Sequence, residues 1–275
     1  MKTYLPNETK AERKARKARH RAGLEASKPK IDTAQSTKID TAQSPKNYVV
    51  CLKWGNKYSA EYVNKLYNMV SRNLTIDYEF VCFTENAAGI DTNIRIEPLP
   101  ELGLQGWWYK PYFLGADIPL RGTLLFIDLD VVIFKNIDNL FAFEPGRFCI
   151  IRDFNRSMRK SWDRVNSSVF RVDIGKYNSQ WYDFKNNIKS HVTRNRGDQD
   201  WMFRHIRDHV FWPDEWIKSY KWEMRDRSAL RLIHGKRNFI NDDFPKVTPG
   251  TSIAVFHGDP NPAECTDTWV KQHWR

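Results

Sequence analysis

The chain has 275 residues, 41% of them hydrophobic and 14% aromatic, with 13 Gly and 13 Pro; this excludes a collagen, a coiled coil and wholesale disorder and leaves a mixed globular domain rich in turns. Net charge is +11, but residues 1–46 alone hold 12 Lys and Arg against 5 Asp and Glu, leaving +4 on the rest, too little to argue for a polyanion partner of the domain itself. The basic start is followed by no apolar segment, no stretch approaches the roughly 20 apolar residues that span a bilayer, and Cys51, Cys82, Cys149 and Cys265 are isolated, so neither a disulfide framework nor a zinc site is indicated and a reducing, cytoplasmic setting is expected.

Along the chain, Ala11, Ala15, Ala18 and Ala22 recur at helical spacing without a large apolar face, which predicts a marginal, solvent-bathed helix. A duplicated octad follows, residues 29–36 and 37–44; two copies are too few for a solenoid. Residues 1–46 therefore read as a flexible basic tail and linker, and 47–275 as one domain. Tyr48 to Leu52 is a short apolar run, and Ser59 to Arg72 sets Tyr62, Val63, Leu66, Tyr67, Met69 and Val70 on one helical face. Strands are expected at Glu79–Thr84 and Asn93–Glu97, a helix at Trp108–Ala116, and one long strand at Thr123–Phe134. Further strands fall at Phe148–Ile151, Ser168–Val172 and Thr251–His257, with helices at Lys176–Ser190 and Gln199–His209. Strands alternating with helices imply an α/β domain, Rossmann-like, around a mainly parallel central sheet.

Nine of the eleven residues from Leu124 to Phe134 are apolar, and Asp128 and Asp130 are the exceptions. At the two-residue period of a strand, both carboxylates leave one side while Leu129 leaves the other. Two ionised carboxylates beside a hydrophobic core repel each other unless a cation lies between them. Oxygen-only donors select Mg²⁺ or Mn²⁺, which keep positions open for phosphate oxygens, so the pair suggests a nucleoside diphosphate substrate. The alternative is a pair that caps a turn beyond a strand end. No GxGxxG or GxxxxGK[ST] loop is present, which disfavours dinucleotide oxidoreductases and P-loop enzymes. Lys110 precedes the acidic strand and offers a fixed positive charge for the diphosphate; otherwise it is an exposed helical lysine.

Four short segments then occur in order: 126–130 (Phe-Ile-Asp-Leu-Asp), 166–170 (Asn-Ser-Ser-Val-Phe), 197–200 (Gly-Asp-Gln-Asp) and 255–262 (Val-Phe-His-Gly-Asp-Pro-Asn-Pro). With them, residues 47–262 resemble the nucleotide-sugar glycosyltransferases of the GT-A fold, most closely family 8, the glycogenin and bacterial galactosyltransferase type. The resemblance implies a metal-dependent transferase moving a sugar from a nucleotide sugar, a UDP-sugar, to an acceptor hydroxyl with retention. It implies Asp128, Asp130 and His257 as ligands of Mn²⁺ (or Mg²⁺), and Asn166, Asp198 and Gln199 around the transferred sugar. Lys110, Gly258 and Asn261 fall at the diphosphate, and Trp54 or Tyr58 at the base. Each has a structural alternative: a turn for Asn166, a helix cap for Asp198, packing for Trp54, Tyr58 and His257. The chain departs from the family where the metal histidine and the lysine before the last proline are expected, since those positions hold Val255 and Asn261. The acceptor, whether glycan, lipid-linked, protein or nucleic acid, is not indicated.

Two other classes compete. One is a nucleic-acid-binding protein, or a glycosyltransferase acting on modified nucleic acid, with the tail on phosphates and aromatics on bases. The other is a metal-dependent phosphohydrolase or nucleotidyltransferase built on the same cation logic.

Overall fold

The computed structural model describes residues 46–225, 230–233, 236–239 and 247–275; the expected tail helix and octad repeat lie outside these. The elements are β1 Asn47–Lys53, α1 Ala60–Asn73, β2 Glu79–Thr84, β3 Arg95–Glu97, a 3₁₀ helix Gly106–Leu114, β4 Thr123–Ile127, β5 Val131–Ile133, α2 Asn139–Ala142, β6 Cys149–Arg152 and a 3₁₀ turn Phe154–Ser157. They continue with β7 Val165–Asp173, α3 Asn178–Asn186, α4 Ile188–Arg194, α5 Asp198–His205, β8 Val210–Phe211, β9 Ile217–Ser219, β10 Leu230–Ile233, β11 Lys236–Phe239, β12 Ile253–Val255, a 3₁₀ turn Pro262–Glu264 and α6 Thr268–His273.

Seven strands form the main sheet in the order β3-β2-β1-β4-β7-β6-β8. All its pairings are parallel except those of β7, which runs against both β4 and β6. Both faces are covered, so the strands read as continuous apolar runs. Val49 and Cys51 of β1 pack with Val63, Leu66, Met69 and Val70 of α1, while Val50 turns to the opposite core with Phe83, Phe113, Phe126, Trp181 and Trp201.

A second sheet, β5-β12-β9, pairs β12 antiparallel with β5 and parallel with β9. The expected single strand from Thr123 to Phe134 is thus two strands in two sheets, parted at Asp128, Leu129 and Asp130. Leu129 is 2% exposed; burial of the apolar residues on both sides of the break hides it from hydrophobic patterning. Among the described residues, no helix is long and apolar enough to cross a membrane.

Candidate active site at the carboxyl ends of β1 and β4

The strand order reverses direction at β1, whose neighbours are β2 and β4. In open α/β sheets the carboxyl edge at such a switch point is where ligands bind, because the connections leave in opposite directions and open a crevice. Asp128 is the first residue beyond β4 at this edge, and Trp54 the first beyond β1.

Backbone pairing fixes the acidic turn from both sides. The Asp128 N–H donates to the Ser168 carbonyl at 2.8 Å, and the Asp130 carbonyl accepts from the Phe256 N–H at 2.9 Å. The turn therefore tethers the main sheet to the smaller one. Opposite it, the β6–β7 register jumps, with Ile150 facing Phe170 but Ile151 facing Asn166. Such a bulge re-aims side chains, here those of residues 166–168. Asn166 Oδ1 accepts from the Ser168 N–H at 3.0 Å, a local bond within β7.

Lys110 is 4% exposed. Its Nζ stands 2.9 Å from Asp128 Oδ2 and 3.7 Å from Asp198 Oδ2, and it donates to the Ser167 carbonyl and Oγ at 3.1 and 3.2 Å. Burial opposes the ammonium, but the carboxylates of Asp128 and Asp198 outweigh it and raise its pKa. This lysine is neither an exposed helical residue nor a charge reaching outward; it is the tie between two acidic side chains. Ser167 Oγ donates to Asp198 Oδ2 at 2.5 Å, and burial pushes the Asp198 carboxyl up against the pull of Lys110 and Ser167. Asp198 is the first residue of α5, after Gly197 at the N-cap, which has no side chain to cap with.

Among the described residues, Asp130 makes no ion pair; Lys110 and Lys57 act on it only through the weaker, longer-range part of its electrostatics. Its Oδ2 accepts from the Tyr58 hydroxyl at 3.0 Å, and burial followed by the Asp128 charge pushes its carboxyl up to about 6 despite that bond. The same contact and burial raise the pKa of Tyr58, keeping the phenol as the donor. Tyr58 is thus tied to the acidic turn, with its ring 4.8 Å from Tyr62, whereas Trp54 is 38% exposed and faces Gly106, whose added Cβ would lie 4.0 Å from its ring. Two hard carboxylates, one of them in no ion pair among the described residues and disfavoured as an anion by burial and its neighbour, suit a divalent ion.

His257 has partners of its own. Its Nε2 is 2.6 Å from Ser219 Oγ, and its ring stacks on Phe154 and meets Trp222 edge-on, at 5.5 and 4.7 Å. Ser219 Oγ also accepts from the Trp222 N–H at 3.1 Å, so the hydroxyl proton is left for the imidazole. Burial, then Lys221, lowers the His257 pKa to about 4. The neutral ring is held where it is by packing and one serine. Asn261 donates its N–H to Glu264 and accepts from the Glu264 N–H through its carbonyl, at 3.1 and 3.0 Å, opening a 3₁₀ turn. Gly258 has φ +77°, and an added Cβ would come 3.1 Å from Lys221 Nζ. The Gln199 side chain makes no hydrogen bond to the described residues.

Among the described residues, the one group of three His, Cys, Asp or Glu side chains with ligand atoms all within 4.8 Å is Asp183, His191 and His205; Asp128, Asp130 and His257 are not so gathered. That cluster is poorly suited to a metal. Trp201 Nε1 donates to His191 Nδ1 at 3.2 Å, so neutral His191 carries its proton on Nε2, which faces Asp183 at 3.1 Å, and a protonated nitrogen has no lone pair to give. Sequence reasoning missed Ser167 and Ser219, since a lone serine carries no spacing signal; for Tyr58, its place beyond β1 was visible but its partner was not.

No family model matches the chain, and no curated protein does. Solved structures do. The glycosyltransferase GlyE of Streptococcus pneumoniae TIGR4 superposes with a TM-score of 0.55 at 11% identity, over 83% of this chain and 62% of that one. The chain therefore spans less than two thirds of the length of GlyE. A glutamine-to-glutamate active-site mutant of LgtC gives 0.52 at 13% identity, covering 82% of this chain and 93% of that one. The galactosyltransferase LgtC in complex with donor and acceptor sugar analogs gives 0.51 at 13% identity, with the same coverage. The shared fold is the GT-A architecture.

Proposed function

We propose that the chain is a glycosyltransferase that takes a sugar from a nucleotide-sugar donor, a UDP-sugar, and passes it to an acceptor hydroxyl. The observation that carries this reading is the placement of Asp128 and Asp130 at the switch point of a GT-A sheet, Asp128 ion-paired with Lys110 and Asp130 in no ion pair among the described residues. Asp128 and Asp130 would hold Mn²⁺ or Mg²⁺, which when bound supplies positive charge to the donor's diphosphate. His257, engaged with Ser219, is left out of this assignment.

The chain's own residues do the rest. Tyr58 orients Asp130, and Lys110 locks Asp128 to Asp198, so the diphosphate end and the sugar end are positioned by one buried ammonium. Asp198 and Gln199, in the first turn of α5, offer a carboxylate and an amide to sugar hydroxyls. LgtC is described with an active-site glutamine, which supports a role at the reacting sugar for Gln199 here. In the transfer, the bond from C1 to the phosphate oxygen breaks and its electron pair stays with the diphosphate. The acceptor oxygen bonds C1 and releases its proton to the departing phosphate, from the same face if retention holds. Among the described residues, no basic group bonds the Gln199 side chain to make it a strong nucleophile, which favours this course over a covalent intermediate.

A thermal-shift panel of nucleotide sugars, each with and without MnCl₂, tests the reading. A bound ligand at about 100 times its Kd stabilises by roughly 2.7 kcal/mol. The expected result is a metal-dependent rise in Tm with at least one UDP-sugar; no shift with any nucleotide sugar would reject it.

A further inference from the structure

We infer that Trp107 is a stacking platform for a saccharide acceptor at the mouth of this site, a step that rests on the glycosyl-transfer reading above. Trp107 is 55% exposed and Trp54 38% exposed, and they are the only exposed tryptophans among the described residues. Both flank Gly106: Trp54 faces it across the turn after β1, and Trp107 follows it in sequence. The next residue, Trp108, turns inward and stacks on Phe184. Other indoles of the domain, such as those of Trp181 and Trp201, are fully buried, so outward placement at this one edge is specific to the site.

Helix type sets the direction of Trp107. In a 3₁₀ helix, residues three apart eclipse one another, so Trp107 and Lys110 project from the same side of Gly106–Leu114. The partners they meet are consecutive. Lys110 reaches Asp198 at 3.7 Å, and Trp107 lies against Gly197, where an added Cβ would be 3.4 Å from the indole Nε1. Trp107 is the solvent-side continuation of a wall whose buried end is the Lys110–Asp198 pair.

The chemistry of that position selects the ligand. An indole offers a broad apolar face with one N–H at its edge, which matches a pyranose, with its C–H face and rim of hydroxyls. The donor's sugar belongs at the inner end, beside Asp198; a group stacked farther out on the same wall arrives from solvent and is the acceptor.

The test titrates the full chain, in UDP and MnCl₂, with lactose, cellobiose and maltose and follows tryptophan emission, in parallel with calorimetry of UDP-sugar binding. We expect at least one disaccharide to shift the emission of the wild-type protein. Trp107→Ala should weaken that affinity by about tenfold, Trp107→Phe should restore most of it, and UDP-sugar affinity should fall less than twofold in either. A panel without effect on wild-type emission, or Trp107→Ala binding the disaccharide as wild type does, overturns the inference while UDP-sugar binding persists. Absence of UDP-sugar binding in the wild-type protein overturns the underlying reading instead.

Discussion

Lys110 and Asp128 form an ion pair that is closed on one side and open on the other: the lysine side chain is 5% exposed, the aspartate 27%, and Nζ stands 2.9 Å from Oδ2. Asp128 therefore has its counter-charge from within the protein, while Asp130, two residues on, is bonded to a phenol and makes no ion pair among the described residues.

Removing the ammonium should be severe. Lys110→Met leaves Asp128 and Asp198 without their shared cation, and breaking a buried pair from one side costs about 3–5 kcal/mol. Urea denaturation at neutral pH should show the midpoint falling accordingly; an unchanged midpoint would mean that the pair contributes little to the fold.

Asp130 should behave in the opposite way. Its folded carboxyl lies at about 6 against 3.8 when unperturbed, so its contribution favours folding below 3.8 and is lost as pH rises through 6. At pH 7 the ionised group then costs roughly 3 kcal/mol. Asp130→Asn, which can still accept from Tyr58, is expected to raise Tm at pH 7 and to give no gain near pH 4, by calorimetry. A variant less stable than wild type at pH 7 would contradict this.

His257 carries the reverse sign. Its pKa falls from 6.5 to about 4, so the stability it contributes is present above 6.5 and drains away as pH falls toward 4, by up to about 3 kcal/mol. In His257→Gln, which can still bond Ser219, denaturation midpoints at pH 7 and pH 4.5 should differ less than in wild type. Equal pH dependence in the two proteins would show that the ring is not held neutral.

The basic segment separates the rival readings. Deleting residues 1–46 removes the part of the chain with 12 Lys and Arg. Salt-dependent affinity for single-stranded RNA, followed by anisotropy, should drop with it, because phosphate contacts set the salt slope. The nucleotide-sugar thermal shift should survive; its loss would place the tail in the site.

Much of the fold was legible because both sheet faces are covered. Glu79–Thr84 emerges with its expected bounds, and β1 and α1 shift by a residue or two. The misreadings have local causes. Asn187, at φ −130° and ψ 31°, splits the expected helix 176–190 into α3 and α4, and nothing in helical spacing marks one such residue. Around Pro111 the chain runs as a 3₁₀ rather than an α helix, which is what aligns Trp107 with Lys110. For the site, the acidic pair stood out because charge interrupts an apolar run. What Lys110 and His257 touch did not, since each depends on a serine, Ser167 or Ser219, brought from a distant strand.

The most direct test of the account is isothermal titration of UDP into the protein with and without MnCl₂, repeated on Asp130→Asn. The account predicts binding that requires the metal and weakens at least tenfold in the variant. Metal-independent binding of UDP with equal affinity in both proteins would contradict it.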